Sequence, residues 1–506
     1  MTRSKFCIAS LLCVSFYSLC LHGQVPLAHA AEPLAMQTWQ TPDIPDTTGG
    51  KLFARFLTAF NSADGGQLEQ FVRSSSTAEG PGGMPIDMRV GSMQRLFNSS
   101  QGLNVYQVQQ LDESRFEAIV QFRLTEQWRK LVFMLDGPEK SQLFGMQIMP
   151  IPAPDVPEST TLPFEVAMQQ YVRRLASYDQ FSGVLAISRD GKLIFETAAG
   201  SANREENLPN TTETAFNYAS VGKMFTAVAI AQQLEAGHLQ LSNTVAEMLP
   251  DFSIQAAHPI TVDQLLTHQS GLPDFLELLD HMSPEQRAEL PQGDELAVIA
   301  DQPLRFQPGE RFEYSNTNFV ILGRILEKLT GKSYENVIIE NIFKPTGMTQ
   351  TALNRETLTD TLIAKGYTEL SPTGQFTPGQ RHFNPMFSGG TGGPAGGGVT
   401  TAGDMLKFAS ALRSEQLISA KTLELLLEKR VPGMRPGESY ARGFIVRESS
   451  HGEVFGHSGG YPGVDAQIDI STTGWTVIVL CNYEAVGEPV ARHAEDLLNS
   501  TLNDHE

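Results

Sequence analysis

Three short motifs contain residue types that can transfer protons or activate a carbonyl group. The first, Ser220-Val221-Gly222-Lys223, is the only Ser-x-x-Lys in the 506-residue chain. The apolar run Met224–Leu234 and the closing Gly237 predict a buried helix with Ser220 at its N-terminus. Lys223 would lie one turn deeper on the same face. Because burial lowers the proton affinity of a lysine, we expect Lys223 to accept the Ser220 proton.

The second motif is Tyr314-Ser315-Asn316, which precedes a predicted helix over Phe319–Leu329. A tyrosine beside a cationic lysine is expected to have a lowered pKa and to relay a proton. The Asn316 amide can hydrogen-bond an acyl chain or hold Lys223 in place. The pattern recurs at Tyr334-Glu335-Asn336, inside an amphipathic helix where the two side chains point apart. We therefore place only the first copy in the site.

The third motif is His457-Ser458-Gly459-Gly460, which follows the short strand Val454-Phe455. Glycines on a strand allow a ligand to approach the backbone closely. A backbone N–H from this strand and that of Ser220 can together form an oxyanion hole. The three motifs therefore predict acyl transfer to water in two steps, with Ser220 as the nucleophile.

The order of these motifs resembles that of the serine β-lactamases and penicillin-binding proteins. Tyr-x-Asn in place of Ser-Asp-Asn points to class C and its D-alanyl-D-alanine carboxypeptidase and esterase relatives, over about residues 162–500. Three further segments carry the same resemblance: Ile260–Leu272, Pro308–Asn316 and Gly392–Gly398.

The resemblance implies an α+β fold, with an antiparallel sheet flanked by helices and a helical lobe. It also implies catalytic roles for Ser220, Lys223 and Tyr314. Substrate binding would fall to Asn316, His457, Ser458, Gly459 and Gly460, with the N–H groups of Ser220 and Gly460 as the oxyanion hole. No cofactor or metal is implied. His268 is expected to be structural, on a helix away from the site.

His457 stands where the best-known relatives carry a lysine that binds a substrate carboxylate. An unperturbed histidine titrates near pH ~6.5 and is mostly neutral at pH 7 to 8. This difference favours neutral esters and predicts that carboxylate substrates gain affinity as the pH falls. Two alternatives remain open: a D-Ala-D-Ala carboxypeptidase or D-amino-acid peptidase, and a penicillin-binding sensor that acylates without turnover.

The chain length predicts two domains. Arg3, Lys5, the apolar run Phe6–Leu21 and Ala28-His29-Ala30 indicate a signal peptide over residues 1–30, hence a secreted or periplasmic protein. The stretch Phe56–Asp64 resembles the opening of NTF2-like domains, so residues 45–150 are predicted to form a small α+β domain of that kind, and the proline-rich residues 151–161 a linker. The hydrolase domain would cover residues 162–502.

The N-terminal domain is predicted to contain helices over Leu52–Phe60 and Leu68–Val72, followed by four strands. The strands are expected at Val105–Leu111, Arg115–Leu124, Gln127–Leu135 and Gln142–Met149. In the hydrolase domain, Asp190-Gly191 predicts a hairpin turn, and strands near the C-terminus complete the sheet.

The composition of the chain excludes some classes of binding partner. The formal net charge is −20, with a pI of about 5.0, which argues against nucleic acid and anionic membranes. No segment of the mature chain is apolar enough to span a membrane. Three of the four cysteines lie in the leader, and Cys481 is expected to be a buried structural thiol. The expected partner is a small molecule or peptide with a hydrolysable acyl group; the oligomeric state stays open.

Overall fold

The computed structural model describes residues 33–34, 39–137, 141–154, 162–283, 286–287, 296–372, 375–385, 392–428, 431–435, 437–449 and 452–503. The predicted signal peptide lies outside these ranges, as do residues 155–161 of the predicted linker. Within the described ranges, no helix combines the length and the apolar character needed to cross a bilayer.

The first unit packs three helices on a four-stranded antiparallel sheet. The helices are α1 (Thr48–Asn61), α2 (Gly65–Ser75) and α3 (Ile86–Ser100). The strands, in sheet order, are β1 (Leu103–Asp112), β2 (Arg115–Phe122), β3 (Trp128–Asp136) and β4 (Gln142–Pro150). Buried and partly exposed residues alternate along β2, so one sheet face meets the helices in a core that includes Phe53, Phe56 and Phe133. The four predicted strands are confirmed.

The second unit is built on an eight-stranded antiparallel sheet in the order β13-β14-β15-β16-β17-β18-β5-β6. Its strands are β5 (Gly183–Arg189), β6 (Lys192–Ala199), β13 (Val431–Pro432), β14 (Glu438–Tyr440), β15 (Ile445–Ser449), β16 (Gly452–Tyr461), β17 (Val464–Ser471) and β18 (Trp475–Cys481). Asp190 and Gly191 both have positive φ, as a tight hairpin turn between β5 and β6 requires. The pairing of β18 with β5 joins the two ends of the unit.

Helices cover both faces of this sheet. On one face lie α4 (Phe164–Ser177) and α13 (Gly487–Asn503); Val172 and Val490 pack there against the β18 residues Val477 and Val479. The other face carries the helical lobe, which begins with α5 (Lys223–Glu235) and shares a core with Ile478 of β18. Ile478 and its neighbours Val477 and Val479 face opposite sides of the sheet because side chains alternate along a strand.

The lobe contains short and long helices. They are α6 (Val245–Met248), α7 (Val262–Leu266), α8 (Phe275–Asp280), α9 (Asn316–Thr330), α10 (Tyr334–Ile338, extended by a π turn and Lys344–Thr346), α11 (Ala402–Arg413) and α12 (Ala420–Leu427). Short strands complete the unit: β7 (Ser201–Asn203), β8 (Leu208–Pro209), β9 (Phe216–Asn217), β10 (Tyr367–Thr368), β11 (His382–Phe383) and β12 (Val399–Thr400). The sheet, the flanking helices and the lobe agree with the predicted fold class.

The turn between β2 and β3 contacts α4 of the second unit. Leu124 is fully buried in the same apolar cluster as Tyr171. The Tyr171 hydroxyl donates to the Thr125 carbonyl over 3.3 Å. Arg174 donates to the Leu124 carbonyl and forms an ion pair with Glu126. The two units therefore share an interface that includes the sheet face carrying α4, opposite the helical lobe.

Candidate active site

Ser220 lies in a 3-10 turn, Ala219–Gly222, that leads directly into α5. The Ala219 N–H donates to Asn217 Oδ1 over 2.7 Å, and the Ala219 carbonyl accepts from the Gly397 N–H over 3.1 Å. Ala219 has a φ of 42°, which is uncommon for a residue with a side chain. These contacts fix the backbone from which the half-buried Ser220 projects.

Lys223, the first residue of α5, is fully buried and forms three hydrogen bonds. Its Nζ lies 3.1 Å from Ser220 Oγ, 2.7 Å from Asn316 Oδ1 and 2.7 Å from the Ala395 carbonyl. Burial lowers the pKa of Lys223 to about 7, and the Asp274 carboxylate opposes this shift. The expected loss of proton affinity is confirmed.

Tyr314 contacts both Lys223 and Ser220. Its hydroxyl hydrogen-bonds with Ser220, while Lys223 Nζ lies over its ring, 4.9 Å from the ring centroid. Burial raises the pKa of Tyr314 above its usual value, so the hydroxyl stays protonated at neutral pH. The expectation of a lowered tyrosine pKa is wrong because desolvation of the phenolate outweighs the Ser220 hydrogen bond, which lowers the pKa, and the Asp274 charge raises it further.

Asn316 begins α9 and connects Lys223 to a carboxylate that the sequence did not single out. Its Oδ1 accepts from Lys223, and its Nδ2 donates to Asp274 Oδ2 over 2.7 Å. The Asn316 backbone N–H donates to the same oxygen over 3.2 Å. Asp274 also caps α8 through the Leu276 N–H. It lies 42 residues before Asn316 in the chain, and its one sequence signal is that it closely follows the segment Ile260–Leu272.

Strand β16 brings the third motif against the Ser220 turn. A methyl group at Gly459 would lie 2.8 Å from Ser220 N and 2.6 Å from the Tyr218 carbonyl, closer than packing allows. Only glycine permits this approach. Because side chains alternate along a strand, Ser458 points to the opposite face, where it lines a small cavity with Gln467. The structure thus brings Gly459, but not the Ser458 side chain, to the Ser220 face.

A chain of hydrogen bonds joins the second motif to the third. The Ser315 N–H donates to His268 Nδ1, which assigns the ring proton of His268 to Nε2. His268 Nε2 then donates to the Tyr440 hydroxyl over 3.1 Å, and this hydroxyl donates to His457 Nε2 over 3.1 Å. The remaining proton of His457, on Nδ1, bonds to the Ser458 carbonyl. Both ring nitrogens of His268 and of His457 therefore make a hydrogen bond while the rings are neutral.

This series of hydrogen bonds shows that two expectations were wrong. Burial lowers the pKa of His457 to about 3, so its ring does not titrate near neutral pH. His268 does not lie away from the site: it follows α7, and its ring packs against that of Tyr314 with centroids 4.3 Å apart. Sequence reasoning missed Tyr440, which no local motif marks.

The glycine-rich loop, where described from residue 392 onward, closes one side of the Ser220 turn. Its carbonyls at Pro394 and Ala395 accept from Thr226 and Lys223 of α5. A methyl group at Gly396 would lie 2.0 Å from the Ala219 carbonyl. The described residues contain no group of three or more His, Cys, Asp or Glu side chains placed to hold a metal ion.

Comparison with known families agrees with this geometry. The family model described as Beta-lactamase matches residues 168–500, more than half of the chain. The chain belongs to the beta-lactamase family. As a member of that family it is a serine hydrolase that acts through an acyl-enzyme, and the fold is of the β-lactamase and transpeptidase type.

Relatives of this beta-lactamase family member include penicillin-binding proteins. It is 30% identical over 300 residues to the putative penicillin-binding protein PbpX of Bacillus subtilis, covering 59% of this chain and 70% of that protein. It is 29% identical over 308 residues to penicillin-binding protein 4* of the same organism, covering 58% of this chain and 66% of that protein.

Two solved structures are similar to about two thirds of this chain. A penicillin binding protein from Bacillus halodurans is 26% identical with a TM-score of 0.56, covering 67% of this chain and 100% of that one. The D-amino acid amidase from Ochrobactrum anthropi SV3, complexed with L-phenylalanine, is also 26% identical with a TM-score of 0.56. That superposition covers 68% of this chain and 99% of the amidase.

Proposed function

We propose that Ser220 is the nucleophile, that Lys223 is its general base, and that the enzyme hydrolyses neutral esters and amides. In the first step the Ser220 Oγ–H proton passes to Lys223 Nζ while Oγ bonds to the acyl carbon. The leaving group departs with a proton, and water then cleaves the acyl-enzyme to restore Ser220. The observation that carries this proposal is the set of three hydrogen bonds made by Lys223.

Those three bonds direct the lone pair of the neutral amine at Ser220. An ammonium group has three N–H donors, and Lys223 has three acceptors around it. Loss of one proton leaves two N–H donors and a lone pair. Since Asn316 Oδ1 and the Ala395 carbonyl can only accept, they retain the two donors. The lone pair is left for the Ser220 hydroxyl, 3.1 Å away.

Tyr314 is proposed as the group that returns the proton. Its protonated hydroxyl hydrogen-bonds with Ser220, so it can donate to the leaving group and be reprotonated from Lys223. The N–H groups of Ser220 and Gly460 are proposed to hold the oxyanion; the close approach of β16 to the Ser220 turn supports this. Asn316 and β16 would orient the substrate.

The proposed preference for neutral substrates follows from the third motif. A substrate carboxylate would find no cation at His457, because burial keeps the ring neutral. Neither ring nitrogen is free, since Nε2 bonds to Tyr440 and Nδ1 bonds to the Ser458 carbonyl. Amides of D-amino acids form a second candidate class, favoured by the similarity to the D-amino acid amidase.

The leader supports secretion, into the periplasm or beyond, as part of this proposal. Arg3, Lys5 and the apolar run Phe6–Leu21 have the composition of a signal peptide. We also propose that residues 45–150 form an NTF2-like accessory domain; helices packed on one face of a four-stranded antiparallel sheet support it.

A substrate panel tests the proposal. Purified enzyme and the Ser220→Ala variant are compared on a neutral ester, a D-amino-acid amide, a D-Ala-D-Ala peptide and a β-lactam. We expect turnover of the ester or the amide above that of the two carboxylate substrates, and loss of all turnover in the variant. Equal turnover in both proteins would refute Ser220 as nucleophile. Stoichiometric acylation without turnover would favour a sensor.

A further inference from the structure

The Asn316 amide has a fixed orientation in this site. Its Oδ1 faces the Lys223 amine and its Nδ2 faces Asp274 Oδ2, each over 2.7 Å. Turning the amide over would place an N–H group against the lysine donor and an oxygen against the carboxylate. Both contacts would become repulsive, so the carboxylate selects the orientation that Lys223 requires.

Asp274 is itself held in place. Its Oδ1 accepts from the Leu276 N–H over 2.9 Å as the N-cap of α8, and its Oδ2 also accepts from the Asn316 backbone N–H. One carboxylate thus joins the start of α8 to the start of α9. Its position is set by backbone groups of both helices, and through Asn316 it sets the position of Lys223.

We propose that Asp274 is a positioning residue that orients the Asn316 amide and thereby directs Lys223 at Ser220. The inference rests on the proposed role of Lys223 as general base. The Asp274 carboxylate does not touch Ser220 and acts through Asn316. It also places a fixed negative charge near the lysine, which favours the ammonium form.

The effect of the Asp274 charge on the pKa of Lys223 has a predictable direction, because the other titratable groups around Lys223 are neutral. Tyr314 is protonated, and burial keeps the pKa of both His268 and His457 well below the neutral range. Removing the Asp274 charge should therefore lower the pKa of Lys223. Since the base must be neutral, the acid side of the pH–activity curve should move to lower pH.

Asp274→Asn and Asp274→Ser test this in the full-length enzyme. Both residues are good N-caps, so α8 should fold in either variant. We expect kcat/KM for a neutral ester to reach half its plateau roughly one pH unit lower in Asp274→Asn. In both variants the plateau should fall by about tenfold or more, while KM changes little, because Asn316 loses its fixed orientation. Serine is too short to reach Asn316 and should give the larger fall.

Asp280→Asn is the matched control, since this carboxylate ends the same helix and pairs with Arg287 across 3.9 Å. It should leave the midpoint within the error of the wild type. A plateau equal to the wild type in both Asp274 variants would overturn the positioning role of Asp274, and an unshifted midpoint in Asp274→Asn would refute the effect of its charge on Lys223. A Lys223→Ala variant that keeps an acid-side midpoint near pH 7 would instead refute Lys223 as the base, so the two failures are distinguishable.

Discussion

Protonation states of single residues set the chemistry of this site. Lys223 is buried among three acceptors and its pKa is lowered to about 7, whereas the Tyr314 hydroxyl stays protonated at neutral pH. One proton acceptor and one proton donor therefore both hydrogen-bond with Ser220. This arrangement needs no charged histidine, and both buried histidines serve as neutral hydrogen-bond partners.

Removing either proton carrier should slow turnover without additive effects. We expect Lys223→Ala and Tyr314→Phe each to lower kcat by about two to four decades, the usual range for lost acid–base catalysis. The double variant should be little slower than the worse single one, because both residues serve one proton path. Steady-state kinetics with circular dichroism to confirm folding would check this. A double variant slower by the product of both effects would show independent roles.

His457 should not sense pH in the physiological range. With the pKa of His457 lowered to about 3, its ring stays neutral above pH ~4 and gains charge only below that. For a matched pair of esters, one with a carboxylate and one without, KM should show the same pH dependence from 5.5 to 8. Relative affinity that rises for the carboxylate ester as the pH falls through 6.5 would show that the ring is exposed in solution.

The residue types of the three motifs carried most of the information available from the sequence. Local patterns put Ser220 and Lys223 at the start of one helix and Tyr314 and Asn316 just before another, and the order of the motifs predicted that they share one site. In the structure Lys223 hydrogen-bonds with both Ser220 and Asn316. Asp274 and Tyr440 could not be predicted, because no motif marks either residue and the residues that they contact lie 42 and 17 positions away in the chain. Burial, which raises the Tyr314 pKa, also has no local signature.

Among the elements, β16 has the tightest geometric requirement. Gly459 packs directly on Ser220 N, so Gly459→Ala should push the strand away from the Ser220 turn. We expect a loss of about 10²–10³ in kcat, comparable to loss of an oxyanion donor. Gly403→Ala is the control, since it lies on α11 with open space around it and should keep full activity. Full activity in Gly459→Ala would contradict the proposed oxyanion hole.

Element boundaries followed from local signals where those signals were strong. The Asp190-Gly191 turn and the four strands of the first unit were predicted because alternation and turn residues act locally. The start of α9 was placed too late, at Phe319, although the structure begins the helix at Asn316. The first turn of this helix was missed because Asn316 and Asn318 are polar and break the apolar pattern. In the structure both side chains hydrogen-bond to residues of the site.

For the whole molecule, the contact between the two units should contribute stability but no chemistry. A shortened chain that begins at Glu158 should still hydrolyse a small ester, because the described contacts of Ser220 and Lys223 lie within the second unit. It should unfold at lower urea concentration, since Tyr171 loses its cover. A folded shortened chain without activity would show that the first unit completes the site.

Leu124→Ala in the full-length chain tests how much the contact between the units stabilises the fold without removing the first unit. Leu124 is fully buried against α4, so we expect a loss of about 2–5 kcal/mol in the free energy of unfolding, with unchanged kcat. Leu111→Ala is the control, because that side chain in β1 is 40% exposed. Urea unfolding of the three proteins gives the comparison. Equal stability of Leu124→Ala and the wild type would show that the units do not pack as described.

The most direct test of the central claim is covalent labelling of Ser220 as a function of pH. The mature enzyme is treated with a fluorophosphonate from pH 5 to 9, and the modified residue is located by mass spectrometry while its rate of formation is measured. We predict one adduct, on Ser220, that forms faster as Lys223 loses its proton, with a midpoint near pH 7. The adduct should be absent in Ser220→Ala, and the pH dependence should be lost in Lys223→Ala. An adduct on another serine, or the same pH dependence without Lys223, would contradict the proposed mechanism.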